Sequence, residues 1–530
     1  MSNDSEPTVA VKLFIDKEKK RVLYAESSTE FVDVLFSFLT LPLGRIVRLL
    51  GKRSQVGCLD ELYKSVESLS EDHFQTKACK AMLLSPCNAA AAHCSQLKVK
   101  VDDSNRMYRC KEASCGYAVF SSVPDATCVC GHPVQYIKQW TKKELSHPPI
   151  VEKSEGGTFA ISVPKFIITD DLHVAPSCTS IMFSLIEKFG IPQKGNIEEK
   201  LLQGAEEQLT GDEKQQANKN EKKHSLSFVS VVRPCDPSEE APKLVKKTAV
   251  ESSRCSQSPE AKHTPKHHPL LPPQKAPCFL APDRGASDLS EISSLLERAM
   301  LTKQPLTGLC FDVAIAPSVT DLCNIPENMF GKQSVADPKF RAMNIRLVQS
   351  KEDSVLYAEV GQDFVDLAFG LLAIPLGTMM KSFSQLPQVG CIDNIYKSVG
   401  GSAKQECQTI LLSPKLPPYF GCSNNILQVE ESVPRYLRIG QTLVSERNPK
   451  SSTDKAYIKG GPMKFMVTND LHIHPFCLTN TLDFLRASKI PTGKLVQKEL
   501  ILNQTQVLKF VGAAFGTRKA LSSLLLPSKK

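Results

Sequence analysis

The sequence predicts an α+β fold made of two homologous modules in tandem. Three observations carry this. A long stretch of the chain repeats itself, and each copy opens with apolar residues alternating at the period of a β-hairpin. Helical spacing then follows in clusters, not in strict alternation with strands, which argues against a doubly wound sheet. Residues 22–66 match residues 355–399 without a gap, at an offset of 333 and with 22 of 45 positions identical. The shared text includes VLYAE, FVD, PLG, QVGC and YKSV.

Val9, Val11, Leu13 and Ile15 alternate with Ala10, Lys12 and Asp16; a charged turn follows at 17–20, and 21–26 alternate again, which predicts a hairpin. Residues 343–359 repeat it. Thr29 is placed to cap a helix whose Phe31, Val32, Leu35, Phe36 and Leu39 share one face until Pro42 stops the run. A second helix is expected from Gly44 and a third over 59–69, after the turn at Val56, Gly57 and Cys58. LLSP then occurs at 83–86 and again at 411–414. Residues 166–172, rich in β-branched side chains, read as a strand, and FIITDDLHVAP at 166–176 returns as FMVTNDLHIHP at 465–475. Helices are expected over 179–189 and 292–302, and residues 295–309 are matched by 510–524.

Between these last two matches the offset falls from 299 to 215, so the first copy carries an insert of 84 residues, placed at 204–287. Rich in Lys, Glu, Gln, His, Ser and Pro, it cannot bury enough apolar surface to offset chain entropy and is expected to be a disordered loop. Ser258-Pro259 and Thr264-Pro265 within it suit proline-directed phosphorylation, and the apolar run 226–232 could pair with a partner's sheet edge. The organisation expected is a first module at 9–315 with a cysteine cluster at 108–132, a linker at 316–339, and a second module at 340–527 without the cluster.

Hydrophobic residues make up 41% of the chain and charged ones 23%, near globular averages, which argues against a fibrous or wholly disordered protein. The first residues lack the basic and apolar regions of a signal peptide, so an intracellular setting, cytoplasm or nucleus, is expected. Eighteen cysteines in that setting point to reduced thiols or metal ligands rather than disulfides. Residues 31–43 are apolar but are interrupted by Asp33 and Pro42, too short a run to span a membrane. A net charge of +9 over 530 residues is a mild excess that selects no partner.

Cys110, Cys115, Cys128 and Cys130 form C-x4-C-x12-C-x-C, two short-spaced pairs on either side of a hairpin-length segment. Tetrahedral Zn2+ needs four soft donors, and two such pairs on facing turns can supply them. Gly116 and Gly131 follow the pairs and suit tight turns, while His132 stands near enough to replace one thiol. A site with four protein ligands leaves no position for water, so its expected role is structural, in the first module only.

Other candidates have bland alternatives. Cys58 and Cys391 precede helices, where a dipole could activate a thiol, but a small buried hydrophobe fits the same turn. Asp171 and His173, matched by Asp470 and His472, would share a strand face as an acid/base pair or metal ligands; an Asp that caps a turn is the plainer reading. His474 adds a third candidate in the second copy. Gly44 and Gly51-Lys52-Arg53 fail the spacing of a phosphate loop. Lys98, Lys100, Arg106, Arg109, Lys111, Lys138, Lys142 and Lys143, interleaved with Tyr108, Tyr117, Phe120, Tyr136 and Trp140, could bind nucleic acid, or be a solvated face over a small core.

Taken together, the hairpin, FVDVLFSFLTLPLG, QVGCLDELYKSV, the CVCG pair and FIITDDLHVAP resemble the plant protein family known as domain of unknown function 674. The resemblance covers almost the whole chain outside the insert. It implies tandem copies and a recurring CxCG-type cysteine pair, and brings no activity or ligand with it. The expected function is a non-enzymatic interaction or scaffold protein with protein partners, two copies packed with pseudo-twofold symmetry and the first stiffened by zinc. The alternatives are a zinc-ribbon nucleic-acid binder and an enzyme with a site between the modules that uses Asp171 or Asp470.

Overall fold

A computed structural model of the chain describes residues 9–101, 106–112, 115–116, 119–137, 157–189, 197–202, 288–315, 340–351, 355–383, 390–439, 442–451, 455–489 and 491–525. The insert at 204–287, with Ser258, Thr264 and the run 226–232, and the linker at 316–339 lie outside the described residues.

The strands of the first copy are β1 (Val11–Asp16), β2 (Arg21–Ser27), β3 (Tyr108–Cys110), β4 (Val119–Ser121), β5 (Ala126–Thr127), β6 (Pro133–Ile137), β7 (Phe166–Thr169), β8 (Val174–Pro176) and β9 (Ile197–Leu202). The second copy supplies β10 (Met343–Ser350), β11 (Val355–Val360), β12 (Tyr436–Ile439), β13 (Thr442–Glu446), β14 (Phe465–Thr468), β15 (Ile473–Pro475) and β16 (Leu495–Leu502). Two antiparallel sheets of five strands repeat one another, in the orders β8-β7-β2-β1-β9 and β15-β14-β11-β10-β16. Even the bulges correspond, between Phe14 and Ile15 and between Val348 and Gln349. Helices cluster beside the sheets, so the chain is α+β as expected.

The first helix spans Thr29–Ser37, with Ser28 and not Thr29 at the N-cap and no side-chain capping bond. A 3-10 turn at Phe38–Thr40 follows, and Pro42 then opens the second helix, Leu43–Leu49. The third covers Leu59–Ser68, and the helix over Thr179–Phe189 has the bounds the apolar spacing predicts. The expected strand at 166–172 is instead a hairpin. β7 ends at Thr169, and Leu172 takes a φ of 58, reversing the chain into β8. Its counterpart Leu471 does the same at 65. A positive φ on a leucine is uncommon and cannot be read from apolar periodicity.

The two copies do not form separate cores. One continuous cluster of buried side chains runs through both, and Phe74 stacks on Phe369 at 6.4 Å between centroids. The contacts are reciprocal, as pseudo-twofold packing requires. Leu43 N donates to Ile374 O and Leu376 N to Leu41 O, both at 2.9 Å, where Pro42 meets Pro375. Cys58 N donates to Ala514 O at 2.8 Å, and Cys391 N to Ala299 O at 2.7 Å. Ser65 Oγ accepts from Ile473 N and Ser398 Oγ from Val174 N. Each copy therefore lays its Gly-Cys pair, Gly57-Cys58 or Gly390-Cys391, and the helix after it against the other copy's TDDLH-type hairpin and last helices.

A third sheet has six strands in the order β12-β13-β4-β3-β6-β5. It joins the cysteine-bearing strands of the first copy to a hairpin of the second through a parallel pair, Ser445 with Val119 and Glu446 with Phe120. The ribbon expected to belong to the first module alone is thus completed by the second.

Candidate metal centre

The four cysteines of the spaced motif converge. Cys110 ends β3, Cys128 directly follows β5, and Cys130 lies in the turn before β6. Antiparallel pairing of β3 with β6 and of β5 with β6 brings the two ends together. Backbone bonds shape the turns. Cys115 N donates to Glu112 O, Cys128 N to His132 O at 2.9 Å, and Gly131 N to Cys128 O at 3.0 Å. Gly131 has a φ of 87, which a side chain would disfavour. Gly116 shows no such need.

The Cys110 and Cys130 sulfurs are 3.4 Å apart, those of Cys115 and Cys128 3.7 Å, and all four ligand atoms lie within 4.8 Å of one another. Four thiolates at about 2.3 Å from a tetrahedral ion would be about 3.8 Å apart, so the cluster is close to the size a metal requires. Cys128 is buried and the other three are partly covered. Burial pushes the Cys110 thiol up to about 12, while backbone and side-chain hydrogen bonds from His132 pull Cys130 down to about 6. His132 thus acts on Cys130 from outside the four-sulfur group. This is the one group of three or more potential ligands among the described residues.

The remaining candidates have structural employment. Cys58 and Cys391 are buried, and each donates its thiol to a carbonyl of the other copy, Thr517 O at 3.0 Å and Thr302 O at 3.1 Å. Burial raises both thiols, Cys391 to about 12, so neither is a ready nucleophile. Asp171 accepts from the Thr169 hydroxyl and Asp470 from that of Thr468, inside the turns their hairpins make. His173 is exposed, and no shared strand face joins it to Asp171. His472 Nδ1 lies 3.2 Å from Glu61, and its ring sits 4.1 Å from that of His474. Asp170, beside Asp171, is buried and accepts from the Thr307 amide and hydroxyl at the start of the helix Pro305–Cys310.

Of the basic and aromatic set, Arg106, Arg109 and Lys111 are exposed, Tyr108 is half-buried and Phe120 is fully buried. Tyr117, Lys138, Trp140, Lys142 and Lys143 lie outside the described residues.

Two groups escape sequence reasoning. Asp33 accepts from the amides of Thr158, Phe159 and Ala160, and Asp366 from those of Tyr457 and Ile458. Their signal was in view, since FVD stands in both copies. The second group is Arg435, Glu446 and Arg447, which meet Ser122, Phe120 and Thr127 across the junction of the copies. Only the strand pairing reveals it.

No helix of the described residues is long and apolar enough to cross a membrane. No curated protein and no solved structure matches the chain. A family model does, in two regions, residues 5–210 and 286–505. With a duplicated fold and most of its length covered, the chain belongs to the family described as "Protein of unknown function (DUF674)".

Proposed function

We propose that the protein is a non-enzymatic scaffold for protein partners, with one structural Zn2+ held by Cys110, Cys115, Cys128 and Cys130. The observation that carries this reading is the convergence of four thiols within 4.8 Å. An all-sulfur, tetrahedral donor set favours zinc over harder ions, and four protein ligands leave no coordination position for substrate. Apparent binding energies for such sites are on the order of 10 kcal/mol, enough to order a short-stranded segment that has little core of its own. The paired Cys and Asp positions, which would be natural places for chemistry in a duplicated enzyme, are used to join the copies and to form turns.

The test combines two measurements on the intact chain. Metal content should be one zinc per chain and should be lost in Cys128→Ser. Affinity purification with and without residues 204–287 should return protein partners, some of them dependent on the insert. Nucleic acid co-purifying in their place, with binding that falls steeply as salt rises, would favour the competing reading, which Arg109 and Lys111 on the ribbon's exposed surface support. Turnover of a substrate that is lost on changing Asp171 or Asp470 would overturn both.

A further inference from the structure

The cysteine cluster stands on strands that the second copy holds in place. Parallel pairing of β4 with β13 is short, only two residue pairs, and needs reinforcement. Glu446 supplies it. Its carboxylate is almost fully buried and takes Arg435 through both oxygens, with Nη2 at 3.0 Å and Nε at 3.1 Å, and it also accepts from the hydroxyl of Ser122, which follows β4. Arg435 Nη2 donates to the same hydroxyl at 2.7 Å. Beneath them Met107 and Phe120 of the first copy pack with Leu437 and Val444 of the second, in a small core that neither copy could form alone. The next residue, Arg447, bonds to the strand that leads into the cluster. Its amide donates to Phe120 O at 2.7 Å and its Nε to Thr127 O at 3.2 Å, the carbonyl directly before Cys128.

We propose that the metal centre is a clamp between the two copies, with Glu446, Arg435 and Arg447 of the second as positioning residues for a metal bound by the first. This deepens, and rests on, the reading of the four cysteines as a metal site. The physical basis is linkage. If an ordered β4-β13 junction presents Cys128 in its binding geometry, metal must in turn favour that junction, by the same factor in each direction. Partners that orient metal ligands without touching the ion typically change affinity 10- to 100-fold when removed. The second copy, having no cysteine cluster, then serves the site through these side chains.

The experiment uses the intact chain, with zinc and after chelation. Competitive zinc titration of Arg447→Gln and Glu446→Gln should show affinity lower by about tenfold or more. Gly57→Ala, which disturbs the junction with Ala514 far from the ribbon in sequence, should leave zinc affinity unchanged and so separates positioning from general destabilisation. Amide exchange at 442–446 should quicken on metal removal while 29–37 and 362–370 stay protected. That comparison needs no variant and decides the matter if the substitutions fail to fold. Zinc affinity within twofold in both variants, or exchange at 442–446 indifferent to metal, would overturn the clamp and leave the metal site standing. A chain that binds no zinc at all would remove the metal reading itself.

Discussion

Cys58 sits at the start of a helix, where the dipole can lower a thiol pKa, yet burial and a carbonyl acceptor hold the proton on sulfur. Cys178 and Cys477, at matching positions before equivalent helices, are exposed. Alkylation of the native protein read by mass spectrometry should therefore label Cys178 and Cys477 while Cys58 and Cys391 resist until unfolding. Rapid labelling of Cys58 would reopen its reading as a nucleophile. Asp366 gives a second prediction. Burial, outweighing the amides of Ile458 and Tyr457, pushes its carboxyl up to about 6, so the folded chain holds this proton more tightly than the unfolded one. Its contribution to stability is then largest below the unfolded pKa, near 4, falls as pH rises to about 6, and stays level above. Asp366→Asn removes this slope and keeps an acceptor oxygen. Denaturation midpoints from pH 4 to 6 should fall more steeply for the unmodified protein, a difference on the order of 2 kcal/mol. Parallel curves would refute the assignment.

Among the elements, the Gly-Cys pairs at 57–58 and 390–391 and the helices that follow them hold the copies together. Gly57 has a φ of 49, and a Cβ there would lie 2.3 Å from Ala514 O; at Gly390 it would lie 2.2 Å from Ala299 O. Backbone atoms cannot yield as a flexible side chain can, so Gly57→Ala or Gly390→Ala should each destabilise by about 2 kcal/mol or more, measured by chemical denaturation. Gly51→Ala, with a φ of 62 but open space around it, should cost less. Elements with local causes were legible in the sequence: the opening hairpins from alternation, and the helices from apolar spacing and Pro42. The hairpin at 166–176 was read as a single strand because its reversal depends on the φ of Leu172. The β12-β13 hairpin went unread, since its role lies in a sheet completed more than 300 residues away in sequence. The convergence of the four cysteines was legible for the opposite reason, because they stand in two short-spaced pairs.

At the scale of the whole molecule, duplication has produced one body and not two. The buried cluster is continuous, and the contacts at Pro42 and Pro375, at Cys58 and Cys391 and in the third sheet all cross between copies. Residues 9–315 or 340–527 expressed alone would expose apolar surface that the partner copy covers. Neither should give a stable native monomer, and the intact chain should unfold in a single cooperative transition. Two resolved transitions, or an isolated second module with native dispersion in its spectrum, would contradict the shared core. The sequence foretold the pairing of the copies but not which elements interlock, because reciprocal docking leaves no local pattern.

The central claim is that the first copy's cysteines hold a structural metal, and metal content measured together with thermal stability tests it most directly. The intact chain should carry one zinc, and chelation or Cys128→Ser should remove it and lower the melting temperature. Metal-free protein that melts at the same temperature with and without added zinc would contradict it.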